Sequence, residues 1–218
     1  MSVCELFHTR YVGLMTAQTT AVPGPVSRAE ETRQRFVDAA VTLFREHGYG
    51  ATSMSQVAAA AGASRANLYL YFHSKPEIVL EWMPTLRPEL DQIYLELDTL
   101  GDHSPSSCRA WLDRLVALWR VHPTELDAVE QATSEDSDVH RHRVELCRRT
   151  ADGFHTVHRT REGSPLPPDV RATRRAHLVV LILSTERCIS SIVLHDAVPE
   201  EEAFLDALAH QWSGFLTN

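Results

Sequence analysis

The sequence predicts an all-α protein, and three observations carry that reading. Apolar residues recur at spacings of three and four through most of the 218 residues, the signature of helices with one greasy face. No segment shows the strict alternation of a half-buried strand. Gly, Pro, Ser and Asp fall where helices would start or stop. With 44% hydrophobic and 23% charged residues, the chain can bury a sizeable core.

Residues 1–27 carry Thr19, Thr20, Pro23, Gly24 and Pro25 without sustained periodicity and read as a disordered arm, with Met15 a possible true start. From Arg28 the pattern turns helical: Phe36, Ala39, Ala40, Leu43 and Phe44 make one apolar stripe that ends at Gly48. A second helix starts near Ser53, where Gln56 three residues on makes a capping box, and continues through Val57 and Ala58–Ala61. Ala61-Gly62-Ala63 is a turn that uses glycine's access to positive φ. Ser64 then caps a third helix in which Leu68 and Phe72 face inward while Arg65, Asn67 and Tyr71 point out. A fourth helix runs from Lys75 to about Leu97, with a kink or break expected at Pro84 and Pro88. Further helices are predicted over Ser104–Val121, from His122-Pro123 onward, and over Asp136–His158. Gly163–Pro168 is a linker, Asp169–His195 a long helix with an apolar middle, and Pro199 sits in the first turn of a last helix that begins with Glu200, Glu201 and Glu202. No run of about 18 apolar residues stands out, so no membrane-spanning helix and no membrane partner is expected; with no secretory signal, the cytoplasm is the expected location. Four cysteines (Cys4, Cys108, Cys147, Cys188) without a CxxC pair read as free thiols.

Two short helices around a tight turn, the second with an outward polar face, form a helix-turn-helix, which places its second helix in the major groove of duplex DNA. Asn67 suits adenine, Arg65 guanine, and Ala66 a thymine methyl. Tyr71, Thr52, Ser53 and Lys75 suit phosphates, and Ser64 and Tyr69 complete the expected DNA-binding set. The net charge of −8 looks wrong for this partner until it is mapped. Residues 28–75 hold six basic and four acidic residues, and the acids concentrate in residues 76–218. A mildly basic head on an acidic body is oriented toward DNA by the phosphate field.

The run Phe36–Ala40, Leu43-Phe44, Gly48-Tyr49, Thr52-Ser53, Val57-Ala58, Ala61–Ser64, Leu68-Tyr69, Phe72, Ser74 and Lys75 resembles the TetR family of bacterial transcriptional regulators over about fifty residues. Ser55 departs from the family pattern, in which many members carry a base-reading arginine there; more of the readout then falls to Arg65 and Asn67. Further along, Thr185-Glu186-Arg187 and Ala207–Trp212 are more weakly similar to the actinobacterial branch that includes the ethionamide-linked repressor, with Thr185 in place of an asparagine. The resemblance implies residues 28–74 as the DNA-binding domain and 75–218 as a body that dimerises and holds an effector. It implies a homodimer paired through 169–195 and 199–217, a pseudo-palindromic operator, and a small apolar effector that releases a repressor. Trp82, Met83, Leu86, Trp111, Leu115, Trp119, Phe154, Thr185 and Trp212 are the candidates to line the effector site, although for any one of them plain core packing is the favoured reading. No cofactor is expected. Neither a Gly-rich phosphate loop, nor a G-x-S-x-G elbow, nor an HExxH motif occurs, so catalysis is not expected. Alternatives are a metal-responsive regulator using His140/His142 or His155/His158, and a DNA-binding protein without an effector.

Overall fold

The computed structural model describes residues 27–160 and 162–217. The expected arm therefore lies almost wholly outside the described residues, as does Cys4. Residues up to Arg35 belong to one compact unit and residues from Phe36 onward to another. In the first, Ser27 caps the opening turn of helix α1 (Arg28–His47): its hydroxyl accepts from the Glu30 amide at 3.2 Å, and its own amide donates to the Glu30 carboxylate at 2.8 Å.

The second unit holds the rest of α1, then α2 (Met54–Ala60), α3 (Arg65–Tyr69), α4 (Lys75–Asp98), α5 (Pro105–Val121), α6 (Pro123–Glu135), α7 (Ser137–Gly153), the single turn α8 (His155–His158), α9 (Pro168–Val193) and α10 (Glu201–Thr217). Among the described residues the β pairing is limited to an isolated bridge between Arg159 and Pro165. The fold is all-α, with an N-terminal helix-turn-helix and a helical C-terminal body.

Two apolar cores organise it. Around the helix-turn-helix, Phe36, Val37, Ala40, Val41 and Phe44 of α1 pack with Val57, Leu68 and Phe72, and this core continues into α4, α6 and α7 through Ile78, Val79, Ala128, Ala132 and Leu146. The second core joins α4, α5, α7, α9 and α10 around Trp212. Arg109 ties α5 to α10 by donating to Glu202 at 2.7 Å and to Asp206 at 2.8 Å, and Arg120 donates to Glu201 at 2.8 Å. The acids at the start of α10 thus pair across helices as well as facing the positive end of their own.

Four sequence expectations are corrected. Pro84 and Pro88 do not break α4, which runs unbroken past both; burial of Met83, Arg87 and Leu90 outweighs the amide that each proline removes. The segment 136–158 is not one helix: α7 ends at Gly153, and Phe154 turns extended (φ −74°, ψ 129°) to bury its ring. A Cβ at Gly153 would sit 2.7 Å from Leu95 Cδ2, so a side chain there would force Leu95 to shift. Pro199 lies in the turn before α10 rather than within it. Finally, α9 is long and apolar enough to cross a membrane, with an 18-residue window of mean hydropathy 1.5, whereas the sequence reading found no such stretch. Its Leu178, Leu181, Ile182, Thr185, Glu186 and Ile189 are buried against the body, as in the core helix of a folded domain.

Candidate functional site

The helix-turn-helix is built by local rules. The Ser53 hydroxyl accepts from the Gln56 amide at 3.3 Å, and the Gln56 side chain accepts from the Ser53 amide at 2.8 Å, so both ends of the capping box close. Gly62 takes φ +65°, a backbone conformation that a side chain resists, and lets the chain reverse within the turn. Ser64 then accepts from the Asn67 amide at 3.1 Å and starts α3. Leu68 and Phe72 are fully buried beneath it. Arg65 and Ala66 are exposed, and Asn67 is half-buried with its side chain on the same turn. The Arg65 guanidinium donates to the Tyr69 hydroxyl at 3.2 Å and lies 5.3 Å from the ring centroid, an arrangement that holds the arginine against its own helix. Just beyond, Leu70 is 81% exposed, an apolar side chain of this face that the sequence reading passed over.

The other residues expected to meet DNA divide. Ser53 and Ser64 are exposed at helix starts, and Tyr71 is half-buried with its ring tilted on Phe36 at 5.6 Å. Thr52 is buried, its hydroxyl donating to the Gly48 carbonyl at 2.9 Å. Lys75, the sole lysine in the sequence, donates from Nζ to the Tyr49 carbonyl at 2.8 Å with its ammonium 4.1 Å from the Tyr49 ring centroid. Tyr49 in turn donates its hydroxyl to Glu135 at 2.8 Å. Burial, with Glu135 accepting, pushes the Tyr49 pKa far above the usual range, so the phenol stays protonated and holds that bond.

The nine residues expected to hold an effector fall into three places. Trp82 joins the helix-turn-helix core, 6.5 Å from the ring of Phe44. Trp111, Leu115, Phe154 and Trp212 pack solidly in the body, where Trp212 meets Trp111 edge-on at 5.0 Å and donates to the Thr185 hydroxyl at 2.8 Å. Met83, Leu86 and Trp119 line a cavity of about 30 Å³ between α4, α5, α6, α7 and α9. That holds two or three waters, at roughly 10–15 Å³ each, and nothing larger until it widens. A broader groove of about 990 Å³ lies open to solvent beside Asp98, Asp102, His103 and Arg159; none of the nine lines it.

One wall of the small cavity is charged. Arg87, nine-tenths buried, donates to Glu186 at 3.1 Å, to Asp91 at 2.9 Å and to the Thr150 hydroxyl at 2.7 Å, and that hydroxyl donates to Asp91 at 2.5 Å. Burial works against the Arg87 charge, but Glu186 and Asp91 outweigh it and hold the guanidinium firmly protonated. Arg143 donates to the other Glu186 oxygen at 3.2 Å. Glu130 accepts from Arg187 and from Ser190. Two residues that line the cavity, Arg87 and Trp119, each keep one buried N–H (Nε and Nε1) without a partner among the described residues; each such orphan costs about 1–3 kcal/mol. Sequence reasoning missed this cluster because Arg87 and Glu186 are 99 positions apart and Arg143 and Glu186 are 43 apart.

The histidines weighed for a metal do not converge. His158 Nε2 lies 2.7 Å from the Asp152 carbonyl, and burial, with Arg149 nearby, pushes the His142 pKa below its usual value. Among the described residues no group of three or more His, Cys, Asp or Glu is placed to hold an ion. Cys108, Cys147 and Cys188 are free; burial raises the thiol pKa of Cys108 to about 11 and of Cys147 to about 12.

A capped helix-turn-helix with an exposed polar third helix, joined to a helical body, defines the class of helix-turn-helix regulatory proteins. The family model described as bacterial regulatory proteins, tetR family, matches residues 36–82. The chain is 32% identical over 109 residues to the uncharacterized HTH-type transcriptional regulator TtgW of Pseudomonas putida, an alignment covering 50% of this chain and 71% of that protein. It belongs to the TetR family. Its fold is also that of a TetR transcriptional regulator from Rhodococcus sp. RHA1 (TM-score 0.60, 20% identity, 88% of this chain and 98% of that one). Thermus thermophilus FadR, a TetR-family repressor solved with lauroyl-CoA, is similar as well (TM-score 0.55, 20% identity, 85% and 93% covered). With three other curated HTH-type regulators or repressors, the matches span 37%, 61% and 54% of the relative's length.

Proposed function

We propose that this protein is a DNA-binding transcriptional regulator, a repressor that holds a pseudo-palindromic operator as a homodimer in the cytoplasm and lets go when a small, largely apolar effector enters its body. The observation that carries the reading is the face of α3: Arg65 and Ala66 exposed, Asn67 beside them, on a helix capped by Ser64 and backed by buried Leu68 and Phe72. These side chains match what base edges offer in the major groove. Ser53 and Ser64 sit at helix starts where phosphates can be held.

Dimerisation through α9 and α10 is supported by Val180 and Phe204, large apolar side chains that these helices leave exposed at 59% and 43%. A two-fold pair presents two copies of α3 to half-sites one or more helical turns apart. Release follows from the course of α4. Its first residue, Lys75, is bonded to Tyr49 beside the helix-turn-helix, and its middle residues Met83, Leu86, Arg87 and Leu90 wall the cavity. Pro84 and Pro88 remove two amides from that same stretch, which makes it the easiest part of the helix to bend. An effector that widens the cavity pushes this segment and alters the spacing of the two α3 helices; such coupling is typically about 1–3 kcal/mol. That FadR, of the same fold, holds lauroyl-CoA supports a body able to admit a partly apolar molecule.

The test is footprinting of purified protein on upstream fragments of its own and neighbouring genes. The expected result is one protected pseudo-palindrome, which Asn67→Ala protects only at higher protein concentration while circular dichroism stays native. Failure to protect any fragment in dilute buffer overturns the proposal.

A further inference from the structure

The cavity wall carries information about what enters it. On the apolar side stand Met83, Leu86, Leu90 and Trp119; on the other stand Arg87, Arg143, Glu130 and Glu186. The charged side is already balanced. Arg87 is met by Asp91 and Glu186, Arg143 by Glu186, and Glu130 by Arg187, three arginines against three carboxylates. A ligand carboxylate placed here would stand as a fourth anion without a cation of its own, and a ligand ammonium would be the mirror case. The wall lacks something else. Arg87 Nε and Trp119 Nε1 are both donors, both in side chains more than nine-tenths buried, and both without a partner among the described residues. Two unspent donors carried by residues that line a charge-neutral wall call for an acceptor that brings no charge.

We propose that the effector is an uncharged molecule with a carbonyl-type oxygen on an apolar body, the oxygen accepting from the Nε–H groups of Arg87 and Trp119 and the body lying against Met83, Leu86 and Leu90. The proposal rests on the effector reading above and narrows it: free acids and amines are excluded, while ketones, esters, lactones and amides are admitted. An oxygen at this wall touches the Arg87 stretch of α4 directly, so binding and the push on α4 are one event.

Three probes of similar size separate the classes: acetophenone, benzoate and ethylbenzene, titrated into the full-length protein without DNA and followed by calorimetry and thermal shift. Acetophenone is expected to bind and raise Tm, with ethylbenzene about two- to tenfold weaker for want of the hydrogen bond and benzoate weaker still. Trp119→Phe keeps a ring and deletes the N–H; it should shrink the advantage of acetophenone over ethylbenzene and leave ethylbenzene itself unchanged. If that variant does not fold, Arg87→Lys takes its place, keeping the charge toward Glu186 while deleting Nε–H. Benzoate binding tightest, ethylbenzene matching acetophenone, no binding by any probe, or an unchanged ratio in the folded variant each overturn the proposal. Because no operator is present, these failures leave DNA binding untouched, whereas loss of footprinting strikes the regulator reading itself.

Discussion

The outer face of α3 and the interior wall of α4 use the same side-chain chemistry under opposite solvent conditions. On α3, Arg65 is exposed and leans only on Tyr69 of its own helix, so its guanidinium costs little to maintain and remains open to a partner. On α4, Arg87 is buried and meets Glu186, Asp91 and Thr150, because a guanidinium without counter-charges would not survive there. The difference teaches where each arginine's interactions are committed: Arg87's to the fold, while Arg65's stay open to solvent and, on the proposed function, to DNA. It also ranks the consequences of mutation.

The largest effect is expected at the interior. Glu186→Gln leaves Arg87 and Arg143 facing each other across a neutral amide, and breaking a buried ion cluster from one side costs about 3–5 kcal/mol. Urea unfolding should show a midpoint lowered by that amount, with the operator affinity of the folded fraction preserved. A midpoint unchanged would mean that Glu186 is not the counter-charge the geometry makes it. The exterior counterpart is Asn67→Ala. Here stability should not move, while operator binding weakens by about 1–3 kcal/mol and preference relaxes at one base pair. Competition gel shifts with operators altered one position at a time check both halves of that statement.

These two regions were also unequally legible in the sequence. Every step of the helix-turn-helix is local: Ser53 finds Gln56 three residues away, Gly62 needs only its own φ, and Ser64 finds the Asn67 amide. Spacing rules read such contacts directly. The ion cluster draws Arg87, Arg143 and Glu186 from three different helices, and nothing in the local pattern of any one announces the other two. The Trp and Phe residues proposed for the effector were legible as apolar but not as solid or hollow, because Trp111 and Trp119 share one stripe of α5 while one packs on Trp212 and the other borders the cavity. The break at Gly153 was hidden for a related reason. A polar run free of proline reads as one helix, and the extended Phe154 that ends it buries its ring against Trp212, 58 positions away.

A smaller effect sharpens the contrast from the side of the head. Ser53→Ala removes the hydroxyl that holds the Gln56 amide, and an N-cap deletion costs about 1 kcal/mol. Because α2 packs against α3 through Val57 and Ala58, hydrogen exchange should quicken in both helices while α9 and α10 are unaffected.

Lys75 gives the smallest change and the finest test, since it stands between the two regions. Its Nζ donates to the Tyr49 carbonyl and lies over the Tyr49 ring, which ties it to the fold. An ammonium has three donors, however, and one carbonyl occupies one of them. The remaining two can meet a phosphate without surrendering Tyr49, at the start of a helix where an anion is welcome. On this geometry Lys75→Ala should weaken binding to all DNA sequences alike and lower the slope of log affinity against log salt by about one. Stability should fall by about 1 kcal/mol or less for the lost cation–π contact. A slope that does not move, with the same loss of stability, would place Lys75 wholly with the interior and leave phosphate contact to the exposed serines of the head.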